Sequence, residues 1–479
     1  MLASDPIRRL SNPAGAVVSG PSDGVSGPSE ANGGSPHERR GPFAFAATAG
    51  ALAAWAGLVA AAALFGEQLV RRVPQSRIFA PPLVGRLDER LPPAVLVPIA
   101  VGLLALWLSP RLAARLGWRR LLVAAFLASV GWAVAVAIAN GFSELVRPVR
   151  LPNDYLADVS LIRSPGLFLS TFVEHIGRFH QHVRGHPPGM VLILWAMNRV
   201  GLDGPGWEAA LEILGGAAMV PAVLVSLREV AGERVARSAA PFVVFAPAVV
   251  WIATTADALF AGMAAWGIAL VLMSLVRRGR SSDGLALAGG VVFGEALFLT
   301  YGIVVLAAIP VIVAVRQRRV RPLVVWALGV AGVFAAFAGV GFWWPAGLRA
   351  TVAQYRAGVS RFRPQSYFWY GDLAAFAIVL GPAAAVGLSR LRDPRAWMLV
   401  GGAALAVILA DVSGLSKAEV ERIWLPFFPW IMLACCSLGR WGPGTNDSGT
   451  GASLTGLRPW LALSMASTLV VQILVRTTW

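Results

Sequence analysis

The chain has 479 residues, of which 57% are hydrophobic and only 14% are charged. A soluble domain carries about 25% charged residues, so this composition excludes an ordinary soluble protein and indicates a polytopic membrane protein. Because the apolar runs are long and continuous, the predicted fold is all-α, with about 11–14 transmembrane helices. The net charge is +16, but the arginines stand in short clusters between apolar runs, which suits orientation in a bilayer and contact with anionic lipid. We therefore expect no nucleic-acid partner.

The chain divides by composition into four parts. Residues 1–40 are rich in Gly, Ser and Pro, which predicts a disordered cytoplasmic tail. Two accessory transmembrane helices are predicted in 41–119, a transmembrane core in 120–440, and a linker with one last transmembrane helix in 441–479. The predicted spans are 43–65, 94–109, 120–141, 188–202, 208–227, 237–253, 257–276, 284–300, 302–315, 322–344, 372–388, 396–411, 422–438 and 459–476.

Arginine clusters between the spans predict which loops face the cytoplasm. Three loops then fall on the external face, namely 142–187, 345–371 and 412–421. One conflict remains within this topology. Three crossings between 188 and 256 would place Asp257 inside, whereas the next arginine cluster requires it to be outside. One segment there must fail to cross, and the short 188–202 run is the first suspect.

The longest polar interval between apolar runs is 153–190, inside the first external loop. It contains Asp154, Asp158 and four of the five histidines of the chain, at positions 175, 180, 182 and 186. Ionisable groups held beside a bilayer indicate a functional site, and an ordinary hydrated loop is the alternative. The same interval predicts an amphipathic helix on the membrane surface, because apolar residues recur at helical spacing at Phe168, Phe172, Ile176 and Phe179.

These polar groups suggest transfer chemistry at the lipid boundary. A carboxylate such as Asp154 can act as a general base towards an alcohol or amine acceptor. Basic side chains suit a phosphate or diphosphate, whose oxygens accept bidentate hydrogen bonds from arginine. The predicted basic groups are His182, Arg184, His186, Lys417 and Arg422. A base that faces such cations would fit a phosphorylated lipid as substrate.

The layout resembles the GT-C superfamily of integral-membrane glycosyltransferases, and it is closest to the protein-O-mannosyltransferase and lipid A aminoarabinose transferase branch. Four segments carry this resemblance, namely Asn153-Asp154-Tyr155, His186-Pro187-Pro188-Gly189, Ala256-Asp257-Ala258-Leu259-Phe260 and Glu419-Val420-Glu421-Arg422-Ile423-Trp424. The family's first motif often has two adjacent acids, whereas Asn153 precedes the acid here.

The resemblance implies a polyprenyl-phosphate-linked sugar as donor and a glycan, lipid or protein as acceptor. It also implies transfer on the external face with inversion at the anomeric carbon. Asp154 would be the catalytic base, with Asp158 as the alternative. Arg184 and His186 would lie beside the donor phosphate, and Arg422 would make a second phosphate contact.

Several residues keep two interpretations. Asp257 either caps its helix or takes part in catalysis. Glu295 lies within a predicted span, and it either bonds its neighbours or faces the substrate cavity. Glu419, Glu421 and Arg422 form either a solvated charge run or part of the site. No cofactor is predicted with certainty and a divalent metal is left open, although the spacing of His182 and His186 does not favour a zinc pair.

Two other classes of function compete with the transferase. A secondary transporter or lipid flippase would use broken helices and charges near the bilayer midplane, and Glu295 with the Gly- and Pro-interrupted runs allows this. The other class is a non-catalytic membrane scaffold, for which the external acids and histidines would be dispensable.

Overall fold

The structure is a computed structural model, and it describes residues 41–89, 91–444 and 451–477. The predicted tail, 1–40, lies outside the described residues. Helix dominates the fold, as the sequence predicts. The α-helices are α1 Gly41–Arg72, α2 Leu96–Arg115, α3 Trp118–Ala137, α4 Leu156–Val159, α5 Pro165–His175, α6 Gln181–Gly185, α7 Gly189–Arg199, α8 Pro205–Ala231, α9 Glu233–Val244, α10 Ala256–Val276, α11 Arg280–Leu297, α12 Ala308–Gln317, α13 Val320–Gly339, α14 Trp344–Ala357, α15 Gln365–Leu380, α16 Pro382–Arg390, α17 Pro394–Val412, α18 Val420–Ile423, α19 Phe428–Met432 and α20 Arg458–Leu474.

Short strands and single 3₁₀ turns lie between the helices. The 3₁₀ turns are Pro74–Ser76, Pro93–Val95, Ile138–Asn140, Phe142–Leu145, Pro148–Arg150, Ile176–Arg178, Pro247–Trp251, Gly302–Ala307, Val359–Phe362 and Leu433–Leu438. The strands are β1 Phe79–Ala80, β2 Leu83–Val84, β3 Arg86–Leu87, β4 Arg440–Gly444, β5 Gly451–Thr455 and β6 Val475–Arg476. They form three antiparallel pairs, β1–β2, β3–β6 and β4–β5. The all-α prediction missed them because pairs this short leave almost no alternating pattern.

Seven helices in the described part of the chain are long and apolar enough to cross a membrane, which is consistent with a multi-pass membrane protein. They are α1, α2, α3, α8, α10, α13 and α17. The pair α15–α16 adds an eighth if the two helices form one span, although they meet at an angle of 94°.

Several of the fourteen predicted segments are shorter or broken helices. The run 422–438 is divided into α18, α19 and a 3₁₀ turn, and it carries Pro426 and Pro429. Each proline removes a backbone donor and clashes with the preceding turn, and two of them within four residues favour the break seen there. The span 422–438 was therefore predicted from its hydropathy, although it does not form one uninterrupted helix.

Helix α7 bears on the topological conflict between 188 and 256. It has 11 residues, so it is about 16 Å long, whereas the hydrocarbon core is about 30 Å thick. The predicted span 188–202 is thus too short to cross. Helix α9, in the predicted span 237–253, has only 12 residues and is likewise not among the helices long enough to cross.

Helices α8 and α10 approach each other through glycine. A methyl group on Gly262 would collide with the carbonyl oxygen of Gly215, so the two backbones are in direct contact at this point. Small residues allow such close packing between apolar helices. The contact fixes the first turns of the two helices, which carry Glu208 and Asp257.

The aromatic stripe of the first polar interval packs into the protein. Phe172 is fully buried, and its ring lies 5.2 Å from that of Phe179 and 5.6 Å from that of Phe342. Phe168 and Ile176 are buried in the same cluster. The predicted helix forms here as α5, but its aromatic stripe packs against partners elsewhere in the chain and is not left for the membrane.

Candidate functional site

A small pocket lies where the first polar interval meets the start of α10 and the start of α18. Its volume is about 60 Å³, which holds a few water-sized groups and not a whole lipid-linked sugar. The polar residues that line it are Asn153, Asp154, Tyr155, Gln181, His182, Thr254, Thr255, Asp257 and Arg422. Residues from two motifs far apart in the chain therefore meet at one cavity.

Asp154 is buried, but it lines this pocket. Its Oδ1 accepts the backbone N–H of Tyr155 at 2.6 Å, and its Oδ2 lies 3.1 Å from Nδ1 of His182. Because a carboxylate only accepts hydrogen bonds, the second contact requires a proton on that nitrogen. The backbone N–H of His182 donates to the carbonyl of Asn153 at 3.1 Å, which holds the imidazole in place. Asp154 is thus oriented from two sides, as a general base must be.

Asp158 has a different environment four residues later. It is fully buried, with Oδ1 2.7 Å from Nδ1 of His180 and Oδ2 accepting the backbone N–H of His180 at 2.8 Å. It does not line the pocket. Both of its oxygens are used to hold the turn before α6, so the structure separates Asp158 from the candidate site.

His186 lies behind Tyr155. Its Nδ1 donates to the carbonyl of His182 at 2.8 Å, and its ring is 5.8 Å from the rings of Tyr155 and Phe260. Burial among these rings lowers the pKa of His186 to about 4. The imidazole is therefore neutral near pH 7, which is contrary to the prediction of a cation for the donor phosphate. Burial also raises the pKa of Tyr155, so its hydroxyl group keeps its proton.

Asp257 and Arg422 form a buried ion pair at the wall of the pocket. Nη1 of Arg422 donates to Oδ2 of Asp257 at 2.7 Å, and the two side chains are 6% and 3% exposed. Nη2 donates to Glu419 at 3.0 Å. Burial alone would lower the pKa of Arg422, but Asp257 and Glu419 raise it above its usual value. Asp257 therefore pairs with a permanent cation, which goes beyond the predicted helix-capping role.

The loop that carries Arg422 is clamped by buried polar groups. Ala418 and Glu419 both have left-handed backbones, with φ of 63° and 61°, a conformation that non-glycine residues adopt at a cost. Oδ1 of Asp372 accepts the N–H of Ala418 at 2.9 Å, and Arg363 donates to the carbonyl of Lys417 at 2.7 Å. These bonds offset the strain and hold the loop in one conformation.

The β1–β2 hairpin supports the same loop. The backbone N–H of Val84 donates to Oε1 of Glu421 at 3.0 Å, and Ser76 accepts from Nε of Arg363 at 3.0 Å. Burial raises the pKa of Glu421 to about 7. The accessory region, 41–119, therefore contributes directly to the position of Arg422, and Glu421 acts from behind the pocket wall.

Besides Asp158, three predicted site residues lie away from the pocket and its supporting groups, namely Lys417, Arg184 and Glu295. Nζ of Lys417 donates to the carbonyl of Arg363 at 3.0 Å, so the only lysine belongs to the clamp. Arg184 is half-buried, and its carbonyl accepts from Thr351 at 3.3 Å. Glu295 is exposed on α11. The predicted set of phosphate-binding cations is therefore reduced to Arg422 at the pocket itself.

Sequence reasoning missed two buried carboxyl groups on α8. Glu208 and Glu212 are 1% and 0% exposed, and none of their oxygens has a hydrogen-bond donor within the described residues. Glu208 lies within hydrogen-bonding distance of the Asp154 carboxyl, which is also an acceptor. Their spacing, one helical turn apart inside an apolar run, was the available signal.

The donor set of the pocket does not suit a metal. Within residues 41–89, 91–444 and 451–477, no group of three or more His, Cys, Asp or Glu side chains is arranged to hold a metal ion.

The structure thus divides the predicted residues into three sets. The pocket brings together Asp154, Tyr155, His182, Asp257 and Arg422, whereas His186, Glu419 and Glu421 support it from behind. Asp158, Arg184, Lys417 and Glu295 lie elsewhere. No protein-family model matches this chain, and no curated protein matches it significantly.

Proposed function

We propose that the protein is a membrane glycosyltransferase that moves a sugar from a polyprenyl-phosphate donor to an acceptor at the external face, with inversion. The observation that carries this proposal is that Asp154 and Arg422 line one pocket although they belong to distant motifs. A base and a cation at one pocket suit a displacement in which the base removes the proton of the nucleophile and the cation stabilises the leaving phosphate.

Asp154 is the general base in this proposal. Its two hydrogen bonds, from the Tyr155 N–H and from His182, aim the carboxylate. The acceptor hydroxyl or amine loses its proton to Asp154 as it attacks the anomeric carbon. The electron pair of the bond between sugar and phosphate leaves with the phosphate, beside Arg422.

Two carboxyl groups line the pocket, those of Asp154 and Asp257, and carboxylates fit the transition state of glycosyl transfer. In such reactions the anomeric carbon becomes oxocarbenium-like and carries positive charge. Fixed carboxylates stabilise that charge more than they stabilise the neutral sugar, so they favour the transition state. Carboxylates repel phosphate, so the donor phosphate is assigned to Arg422.

A second candidate, a transporter or lipid flippase, is favoured by one specific observation. Helices α15 and α16 meet at 94° around Gly381, which adopts a positive φ of 76°. Broken helices of this kind form substrate sites in transporters. The buried carboxyl groups of Glu208 and Glu212 also suit proton-coupled movement.

One reconstitution experiment separates the two candidates. Purified protein in liposomes is given a radiolabelled polyprenyl-phosphate sugar and a mixture of glycan and lipid acceptors. A transferase releases polyprenyl phosphate and labels an acceptor, and Asp154→Asn abolishes this whereas Glu295→Gln, the matched control outside the pocket, does not. Movement of intact donor across the bilayer without cleavage would support the flippase and contradict the transferase.

A further inference from the structure

Two buried carboxyl groups remain outside the mechanism proposed above. Glu208 lies in the first turn of α8 and Glu212 one turn later, and neither has a hydrogen-bond donor within the described residues. An ionised carboxylate without a donor is costly in a buried environment. Both groups must therefore gain a proton or a partner.

The protonation state of Glu208 depends on its neighbours. Its carboxyl group lies within hydrogen-bonding distance of the carboxyl group of Asp154. Two ionised carboxylates only accept hydrogen bonds and repel each other, so this contact is favourable only when the pair holds one proton. Carboxyl pairs that share one proton are a recognised way of setting different roles for two acids.

The surroundings place that proton on Glu208. Asp154 already accepts the Tyr155 N–H and the Nδ1–H of His182, so its negative charge is stabilised. Glu208 has neither kind of donor. The titratable and charged groups around the pair are Tyr155 and His182 from the first polar interval, Glu212 from α8, Asp257 from α10 and Arg422 from α18, and Arg422 is already bonded to Asp257.

We infer that Glu208 is a positioning residue, which holds one proton and donates its O–H to Asp154, so that Asp154 stays ionised and aimed into the pocket. This role rests on the proposed glycosyl transfer. In that step the proton of the acceptor hydroxyl or amine moves to Asp154, and the lone pair of the acceptor atom forms the new bond to the sugar. The electron pair of the broken bond between sugar and phosphate leaves with the phosphate. Glu208 keeps its own proton throughout and does not touch the substrate.

The protonation state is tested first by infrared difference spectroscopy on purified protein, which needs no activity. Wild type minus Glu208→Gln should show the carbonyl stretch of a protonated carboxyl group at neutral pH. That band should change frequency in Asp154→Asn, because its hydrogen-bond acceptor is altered. Glu229→Gln, on the same helix and half-exposed, is the matched control and should leave the band unchanged.

The positioning role is tested second by kinetics. Glu208→Ala removes the O–H donor and should lower kcat by about 10- to 100-fold with KM unchanged, the effect of losing one hydrogen bond to a charged group. Glu208→Gln keeps an N–H donor and should restore kcat to within about threefold. Glu208→Met, which keeps the length of the side chain without a donor, should stay as slow as Glu208→Ala, whereas a residue with only a packing role would tolerate Met.

The outcomes separate this inference from the proposed function. If the carboxyl band depends on Glu208 and Asp154 but no sugar is transferred, the shared proton stands and the glycosyltransferase does not. If transfer depends on Asp154 while the Glu208→Gln spectrum equals that of the wild type, the inference alone fails. A Glu208→Gln protein that transfers as poorly as Glu208→Ala would also overturn it.

Discussion

Asp154 and Asp158 form two aspartate–histidine pairs four residues apart, and they differ in what surrounds them. Asp154 uses one oxygen for His182 at 3.1 Å and lines a pocket, whereas Asp158 uses both oxygens for His180 and is fully buried. The same pair of residue types therefore serves a site in one place and a turn in the other. Exposure to a cavity, and not residue chemistry, separates the two.

The largest expected effect comes from neutralising the two acids in turn. Asp154→Asn should lower the rate of the proposed sugar transfer by about 1,000-fold, because an amide cannot take up the proton of the attacking hydroxyl or amine group. Asp158→Asn should leave the rate per folded molecule within a few-fold. The measurement is kcat in proteoliposomes, normalised to folded protein. Equal losses in the two variants would remove the distinction between the pairs.

A third carboxylate, Asp257, differs from Asp154 and Asp158 because its partner is a permanent cation, Arg422. Arg422→Met leaves Asp257 buried without its partner, which should lower the free energy of unfolding by about 3–5 kcal/mol. The double variant Asp257→Asn with Arg422→Met should recover part of that loss, since no charge is then stranded. Denaturation in detergent measures both. A single variant as stable as wild type would show that the pair is open to solvent.

The histidine behind Tyr155 sharpens the comparison through pH. Because the pKa of His186 is lowered to about 4 in the folded chain, the unfolded chain binds more protons between pH 6.5 and 4. Stability from this residue is therefore complete above that window and is lost as the pH falls, by at most about 3 kcal/mol. His186→Asn should show a shallower decline on acidification. Identical slopes in the two proteins would count against a buried neutral imidazole.

The Asp158 pair should affect stability rather than rate. Asp158→Ala leaves the His180 N–H without its acceptor, and we expect a loss of about 1–3 kcal/mol in the free energy of unfolding. Asp154→Ala should cost less stability, because its carboxylate faces a cavity that water can enter. Thermal unfolding followed by tryptophan fluorescence compares them. The reverse order would mean that the pocket is dry and structural.

The histidines themselves give the smallest expected effects. His182→Gln should lower kcat about tenfold, since Asp154 loses a donor that orients it. His180→Gln should change kcat less than threefold, because that side chain is 45% exposed and does not line the pocket. Steady-state kinetics on the two purified variants make the comparison. A larger loss in His180→Gln would place the turn before α6 in control of the pocket.

Part of this arrangement was predictable from the chain. Residue patterning singled out Asp154, His182 and Arg422, because acids and cations gathered beside apolar runs are unusual. Helix as the dominant element followed from long apolar segments. The short α7 was suspected from its length and its polar end, and the structure confirms that it is too short to cross.

Other features depend on contacts that one sequence does not reveal. Glu208 and Glu212 stand in an apolar run of the sequence, which does not show what they contact. The contact between Gly215 and Gly262 places α8, which carries them, beside α10. Lys417 was predicted to bind phosphate, but its Nζ donates to the carbonyl of Arg363. His186 was expected as a cation, and only its aromatic neighbours show that it is neutral.

The bond between Val84 and Glu421 joins residues 337 positions apart in the chain. During synthesis the hairpin at 79–84 emerges early, and it can bond to Glu421 only after most of the polypeptide has been made. The wall that carries Arg422 is then set only near the end of translation. A partly inserted chain would therefore lack the part of the pocket that Arg422 forms, so the complete pocket exists only after membrane assembly is finished.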